Sequence, residues 1–145
     1  MSTPTTRPAA VVDTNVFGAE ILRRTGELTR LYRPVLLGRP LLISFQTVAE
    51  LRYGAHLRRW GRHRLQRLEL YIARAEVVWP NDELVEAYVN LRVRCQRSGH
   101  ALAQRDHDAD RWVAATAVWL GIPLVAHDGI FRKAPGLTLE TLLPS

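Results

Sequence analysis

Short apolar runs alternate with longer segments of mixed polarity along this chain of 145 residues. The runs are rich in Val, Leu and Ile, which is typical of buried strands. The predicted strands occupy residues 8–12, 41–43, 76–79 and 123–126, with a short fifth strand at 137–139. The segments between them have the lengths and the capping residues of helices. The predicted helices occupy residues 15–24, 26–37, 44–59, 62–75, 81–97 and 109–120.

Helix starts are marked by residues whose side chains can bond free backbone N–H groups, and helix ends are marked by glycine. Ser44 is expected to cap the helix that follows it, and Gly61 is expected to end that helix. Asn81 or Asp82 is expected to cap the longest helix. Gly99 is expected to end it, because glycine readily adopts the left-handed conformation found after helices.

Strands that alternate with helices predict an α/β fold, because the crossover between two parallel strands is usually a helix. We therefore expect a mostly parallel sheet of four to five strands, with helices on both faces. A single domain is expected over residues 9–145, after a flexible N-terminal lead-in over residues 1–8. Ligands of such sheets bind beyond the carboxyl ends of the strands.

The formal net charge is +6, and nearly all of the positive charge is arginine because Lys133 is the only lysine. Arginine contacts phosphate through two parallel hydrogen bonds, which favours a nucleic-acid partner. The alternative is that these arginines are merely solvated surface residues. An acidic protein is a further partner that could cover the same surface.

The single cysteine, Cys95, excludes an internal disulfide and favours a reducing compartment. The N-terminal residues lack the apolar run of a secretory signal. No apolar stretch is long enough to cross a bilayer. These features predict a soluble, cytoplasmic protein without a membrane partner.

Four acidic residues lie near the ends of predicted elements: Asp13, Glu50, Asp110 and Asp128. Carboxylates that converge at one edge of a sheet repel each other unless a cation lies among them. Oxygen ligands suit Mg²⁺, and Mn²⁺ can take its place. The pattern therefore predicts a metal site, and the arginines around it predict a polyanionic substrate.

Each of the four acids also has a structural interpretation. Asp13 and Asp110 could be helix N-caps, and Glu50 could be a solvated helix residue. Asp128 stands before a glycine, which is a common turn pair. Taken together, however, the four residues share one end of the predicted sheet, which separate caps would not require.

Other polar residues lie beside these acids. Asp106 and Asp108 precede Asp110, and either could add a ligand. His107 and His127 lack the spacing of a zinc site, and we expect them to be bystanders or, at most, phosphate neighbours.

Four segments carry a family resemblance, and together they span nearly the whole chain. They are Val12-Asp13-Thr14-Asn15, Ser44 through Ala55, Asp110 through Ala117, and Gly121 through Asp128. In residue types, order and spacing they resemble PIN-domain ribonucleases of the kind that serve as VapC-type toxins in bacterial type II toxin–antitoxin systems. One departure is Ala126, which stands where similar sequences often have Thr or Ser.

The resemblance implies a three-layer α/β/α sandwich and a magnesium-dependent endoribonuclease. By motif, Asp13, Glu50, Asp110 and Asp128 become the metal-binding and catalytic carboxylates. The resemblance further implies that Thr14 and Asn15 support them by hydrogen bonds. It also implies a small VapB-type antitoxin that blocks the site, and a toxin homodimer.

The predicted reaction is hydrolysis of RNA by a metal-activated water. Arg52, Arg111 and Arg132 lie near the motifs and are candidates for phosphate contacts, with surface solvation as the alternative for each. Two other functions stay open. The first is a catalytically silent PIN-like module that binds RNA or protein, and the second is a metal-dependent phosphatase. Asn15 counts against the phosphatase, because such enzymes often have an acid two residues after the first aspartate.

Overall fold

A computed structural model gives the fold and describes residues 7–145. Five short strands form one sheet: β1 (Ala10–Val12), β2 (Leu41–Ser44), β3 (Glu76–Val78), β4 (Leu124–Val125) and β5 (Leu139–Glu140). Six α-helices alternate with them: α1 (Thr14–Leu22), α2 (Glu27–Leu36), α3 (Phe45–Leu57), α4 (Arg62–Ile72), α5 (Asp82–Ser98) and α6 (Asp108–Leu120). Short 3₁₀ helices occupy Ala101–Ala103, Arg105–His107 and Gly129–Phe131.

The strands lie in the order β3-β2-β1-β4-β5, and every pair is parallel. The chain first builds outward from β1 through β2 to β3, then returns to place β4 on the other side of β1. The direction of winding thus reverses between β1 and β4. In open α/β sheets, this reversal leaves a crevice at the carboxyl ends of the two strands, where ligands bind.

The sheet is covered on both faces, so the predicted α/β/α sandwich is confirmed. Successive side chains of β1 point to opposite faces. Val11 packs into a cluster with residues of α5 and α6, such as Leu91 and Val113. Val12 packs into a second cluster with residues of α1 to α4, such as Phe17.

Most predicted helix ends are confirmed. Ser44 caps α3 by accepting a hydrogen bond from the Gln46 N–H at 3.1 Å. Asn81 rather than Asp82 caps α5, since its side chain accepts the Leu84 N–H at 2.8 Å. The left-handed Gly99 follows α5 as predicted.

The predicted end of α3 at Gly61 is wrong. The helix ends at Leu57, and Arg59 takes the left-handed conformation with φ of 54°. Gly61 instead stands at the N-cap of α4.

Six residues of the predicted lead-in, 1–6, lie outside the described residues. Arg7 follows them, and its guanidinium donates to the carbonyls of Pro34 and Leu37. In the part of the chain that the structure describes, no helix is long and apolar enough to cross a membrane.

Candidate active site

Asp13 directly follows β1 in the crevice between β1 and β4. Its backbone N–H donates to the Val125 carbonyl at 2.9 Å, and its carbonyl accepts the Phe17 N–H at 2.9 Å. These bonds fix Asp13 at the N-cap of α1, but its side chain makes no capping hydrogen bond. The residue is nevertheless only 5% exposed. The carboxyl is therefore buried without the partner that a structural cap would use.

The other three acids act on Asp13 through their charges. The pKa of Asp13 is raised from 3.8 to about 7, chiefly by burial. The Thr14 backbone N–H lowers this pKa, and the charges of Asp110, Glu50 and Asp128 contribute to raising it. Charges raise a neighbour's pKa only at short range. The charges of three acids that are far apart in sequence thus act on one buried carboxyl.

Each of these three acids is half-buried and has a local hydrogen bond. Asp110, in the first turn of α6, has Oδ2 at 3.0 Å from Nδ1 of His107. Glu50 accepts a bond from the Gln46 amide at 3.5 Å. Asp128 accepts the N–H of Ile130, two residues further on, at 3.0 Å, as its turn interpretation requires.

The donor set fits a hard divalent cation by its chemistry. All four side chains offer carboxylate oxygens, and a cation among them would offset the burial and the repulsion that raise the pKa of Asp13. Within residues 7–145, however, no three His, Cys, Asp or Glu side chains already form a group that could hold a metal ion. Asp110, Glu50 and Asp128 each use one carboxylate oxygen in their local hydrogen bonds, and the other oxygen of each could face a shared ion.

The two residues after Asp13 differ in their surroundings. The Thr14 hydroxyl shares a hydrogen bond with the Thr47 hydroxyl of α3 at 2.9 Å, which ties α1 to α3 beside the acids. Asn15 is exposed. Thr47 is fully buried, and its part in this contact was not predicted because it depends on how two helices meet.

The three candidate arginines are placed very differently. Arg52 is paired with Glu69 at 2.6 Å, and Arg132 donates to the Pro144 carbonyl at 2.6 Å. Arg111 is only 1% exposed, so neither the phosphate role nor the solvated-surface interpretation describes its position. A sequence cannot show that a charged helix residue points inward when its partners lie in a neighbouring loop.

The acids next to Asp110 have other environments. Asp108 accepts hydrogen bonds from the Tyr88 hydroxyl and from Arg111. Asp106 is exposed. His127 has Nδ1 at 2.7 Å from the Tyr32 hydroxyl, which also accepts the Leu142 N–H at 2.9 Å.

A groove of about 770 Å³ begins at this site and runs between α1, α2 and α3. Thr14, Asn15, Glu50 and His127 line the end near the acids. Leu and Ile side chains line its middle, and Arg58 and Trp60 line the far end. An extended or helical ligand could therefore lie in the groove and reach the carboxylates.

The PIN-domain sequence profile matches residues 10–137, a range that includes all four acids. The chain belongs to the PIN domain family. Comparison with curated protein sequences finds no match.

Solved structures share the fold of this PIN domain. VapBC2 from Rickettsia felis, bound to a promoter DNA fragment, has a chain that aligns with a TM-score of 0.75 and 20% identity over 92% of this chain and 98% of that one. VapBC from Salmonella typhimurium has a chain that aligns with a TM-score of 0.74 and 24% identity, over 93% of this chain and 98% of that one. VapBC-5, a toxin–antitoxin family member from Mycobacterium tuberculosis, has a chain that aligns with a TM-score of 0.61 and 25% identity. The alignment covers 92% of this chain and 96% of that one.

Proposed function

We propose that this PIN domain is a magnesium-dependent endoribonuclease toxin of the VapC type that a VapB-type antitoxin inhibits. The observation that carries the proposal is Asp13, a carboxyl buried without a capping partner among three further acids. Burial disfavours the charged form of this carboxyl, and the charges of the other three acids add to that cost. A fold keeps such a group where a bound cation offsets the cost.

A bound divalent ion would polarise a phosphate oxygen and lower the pKa of an attacking water. Asp13 and Asp110 would hold the ion directly, and Glu50 and Asp128 would hold it directly or through water. His107 would keep one oxygen of Asp110 oriented by its hydrogen bond.

Two observations support an RNA substrate. The groove of about 770 Å³ beside the acids has room for a short segment of a single strand. The net charge of +6 favours a polyanion over a neutral ligand. Thr14 and Asn15 lie where the groove meets the acids and would contact the metal-bound water or the scissile phosphate.

The proposed partners follow from the VapBC likeness. The matched structures include toxin–antitoxin complexes, so we infer a VapB-type antitoxin whose segment fills the groove and covers the acids. We further infer a toxin homodimer and a cytoplasmic location, where both the RNA and the antitoxin would be present.

The test is cleavage of total RNA by the purified, antitoxin-free protein with Mg²⁺, with Mn²⁺, and with a chelator. Discrete fragments that need the metal and disappear in Asp13→Asn would support the nuclease. Intact RNA in every lane, from protein whose folding is verified by circular dichroism, would contradict it.

The second candidate is a module that binds RNA without cutting it. It is favoured by one observation: within the described residues, no group of three ligands is already arranged for a metal. Calorimetric titration with Mg²⁺ separates the two, because a silent module needs no ion at the acids. Metal binding that is lost in Asp13→Asn, together with cleavage, would exclude the silent module.

A further inference from the structure

The turn between α3 and α4, together with the first half of α4, carries a dense group of arginines, which we name the arginine turn. It comprises Arg58, Arg59, Arg62, Arg64 and Arg67, with Trp60 among them. No acidic residue occurs between Leu51 and Leu68. All five arginines are exposed.

Four arginines elsewhere in the described chain have carboxylate partners, but those of the arginine turn do not. Arg33, Arg39 and Arg52 are each paired with a glutamate. Across residues 7–145, no ion pair involves the arginine turn. Its guanidinium groups are therefore available to an external anion.

A comparison of helix ends shows that one of these arginines occupies a position that is glycine after two other helices. The helices α3, α5 and α6 end with the same two backbone bonds, in which a left-handed residue and its successor bond back to the helix. Gly99 and Gly121 take the left-handed position after α5 and α6. After α3 the residue is Arg59, with φ of 54°. A side chain in this conformation is strained, and such strain persists mainly where function requires it.

The arginine turn is continuous with the groove that contains the acids. Arg58 and Trp60 line its far end, and Glu50 lines the near end. Arg58 lies back along α3 toward Glu50: a carbon added at Gly54, one turn after Glu50, would come within 2.7 Å of Arg58 Nη1. A strand that leaves the carboxylates along this groove therefore arrives at the arginines.

We propose that the arginine turn binds the backbone of single-stranded RNA that flanks the cleavage site. The proposal rests on the nuclease function above and names the surface that grips its substrate. Guanidinium groups bind phosphates, and an aromatic ring among them offers a stacking surface for a base. Trp60 is half-buried, and the Arg64 guanidinium lies 5.3 Å from its ring centre. An acidic polypeptide would use the arginines but would not need the ring.

The test compares Arg59→Gly with Arg92→Gln in the full chain, both in an Asp13→Asn background that cannot cut RNA. Each variant removes one positive charge, and the exposed Arg92 lies on α5. The probe is a fluorescein-labelled single-stranded RNA of mixed sequence, about 20 nucleotides long, to exceed the length that one small domain covers. Binding is measured by anisotropy over a series of salt concentrations, and stability is measured by thermal melting.

We expect Arg59→Gly to weaken RNA binding by about three- to tenfold at low salt, and to lower the salt slope by about 0.7 for one lost phosphate contact. Its melting temperature should stay unchanged or rise, because glycine relieves the left-handed strain. Arg92→Gln should leave RNA binding close to that of the background protein. Opposite effects on binding and stability are not expected from a residue with a merely structural role.

Three outcomes would overturn the inference. The first is unchanged RNA binding by Arg59→Gly, and the second is an equal loss in Arg92→Gln, which would reduce the effect to net charge. The third is an equal loss of binding to labelled polyglutamate, which would make the surface a site for acidic protein. Cleavage by the otherwise wild-type chain is assayed in parallel. Metal-dependent cleavage together with any of these outcomes would refute this surface alone, whereas absent cleavage would refute the nuclease.

Discussion

Two residues with formally charged side chains, Asp13 and Arg111, are buried in the part of the chain that the structure describes, and they have opposite surroundings. The Arg111 guanidinium donates to the carbonyls of Leu102 and Gln104, to the Tyr88 hydroxyl and to Asp108. Asp13 has no such set of partners, and its charged neighbours are acids like itself. Arg111 thus holds a loop against α6, whereas only the Thr14 backbone N–H favours the charged form of Asp13. A buried charge with partners indicates structure, and a buried charge without them indicates a ligand site.

Asp13→Asn should have the largest effect on RNA cleavage and should separate a role in ligand binding from a role in structure. We expect RNA cleavage to fall by at least about a thousandfold, since a ligand to the ion contributes several kcal/mol to the transition state. The metal-free protein should become more stable at neutral pH. A matched control is Asp106→Asn, which neutralises an exposed acid. Full activity in Asp13→Asn would remove this residue from the site.

The pH dependence of stability should also differ between the wild-type chain and Asp13→Asn. The pKa of Asp13 rises from an ordinary 3.8 to about 7 in the folded chain. The folded state therefore holds this proton more tightly, and the resulting stability is fully present below pH 4 and is lost as the pH rises to 7. The loss should be roughly 3–4 kcal/mol in metal-free protein.

Chemical denaturation at several pH values, with a chelator present, measures this loss. Asp13→Asn should have a flatter profile between pH 4 and 7, and Mg²⁺ should restore stability to the wild-type chain above pH 7. Parallel profiles for the two proteins would show that Asp13 does not carry the effect.

Arg111→Met should lower the stability of the folded protein, whereas Asp13→Asn should raise it. The substitution keeps an apolar side chain but leaves the carbonyls of Leu102 and Gln104 without their donor. We expect a loss of roughly 3 kcal/mol in urea denaturation. Arg105→Met, an exposed position in the same loop, should change stability little. An equal effect of both variants would mean that the buried hydrogen bonds of Arg111 contribute nothing specific.

His107→Ala should give the smallest effect and would sharpen the role of the bond to Asp110. We expect Mg²⁺ affinity to fall by about tenfold, as for other groups that orient a metal ligand. The melting temperature of the metal-free protein should be nearly unchanged, because His107 is only partly buried. Calorimetric titration measures the affinity, and His63→Ala, at an exposed position on α4, is the control. Equal affinities in both variants would count against the orienting role.

Much of the fold could be predicted because local chemistry determines it. The apolar runs correspond to the five strands, and Ser44, Asn81 and Gly99 mark helix ends through bonds within a few residues of sequence. The end of α3 could not be predicted in this way. Arg59 takes a conformation that its residue type disfavours, so the next glycine, Gly61, was wrongly chosen as the end.

The residues of the candidate site also differ in how far the sequence predicts them. That the four acids form one site stays a prediction, which rests on the way parallel strands bring their carboxyl ends to one edge of the sheet. The inward position of Arg111, and the contacts of Thr47 and His127, depend on partners in distant segments. Such contacts leave no periodic signal in the sequence, so only the folded chain reveals them.

The pairing of β1 with β4 has a consequence for synthesis on the ribosome. Val11 pairs with Leu124, near the other end of the chain. A nascent chain that has been completed only through α5 carries Asp13 and Glu50 but has neither Asp110 nor Asp128. Unfinished or prematurely terminated chains would therefore lack the proposed activity. The proposed nuclease activity would therefore arise only after the ribosome has translated β4. An inhibitor could bind the protein as soon as the site is complete.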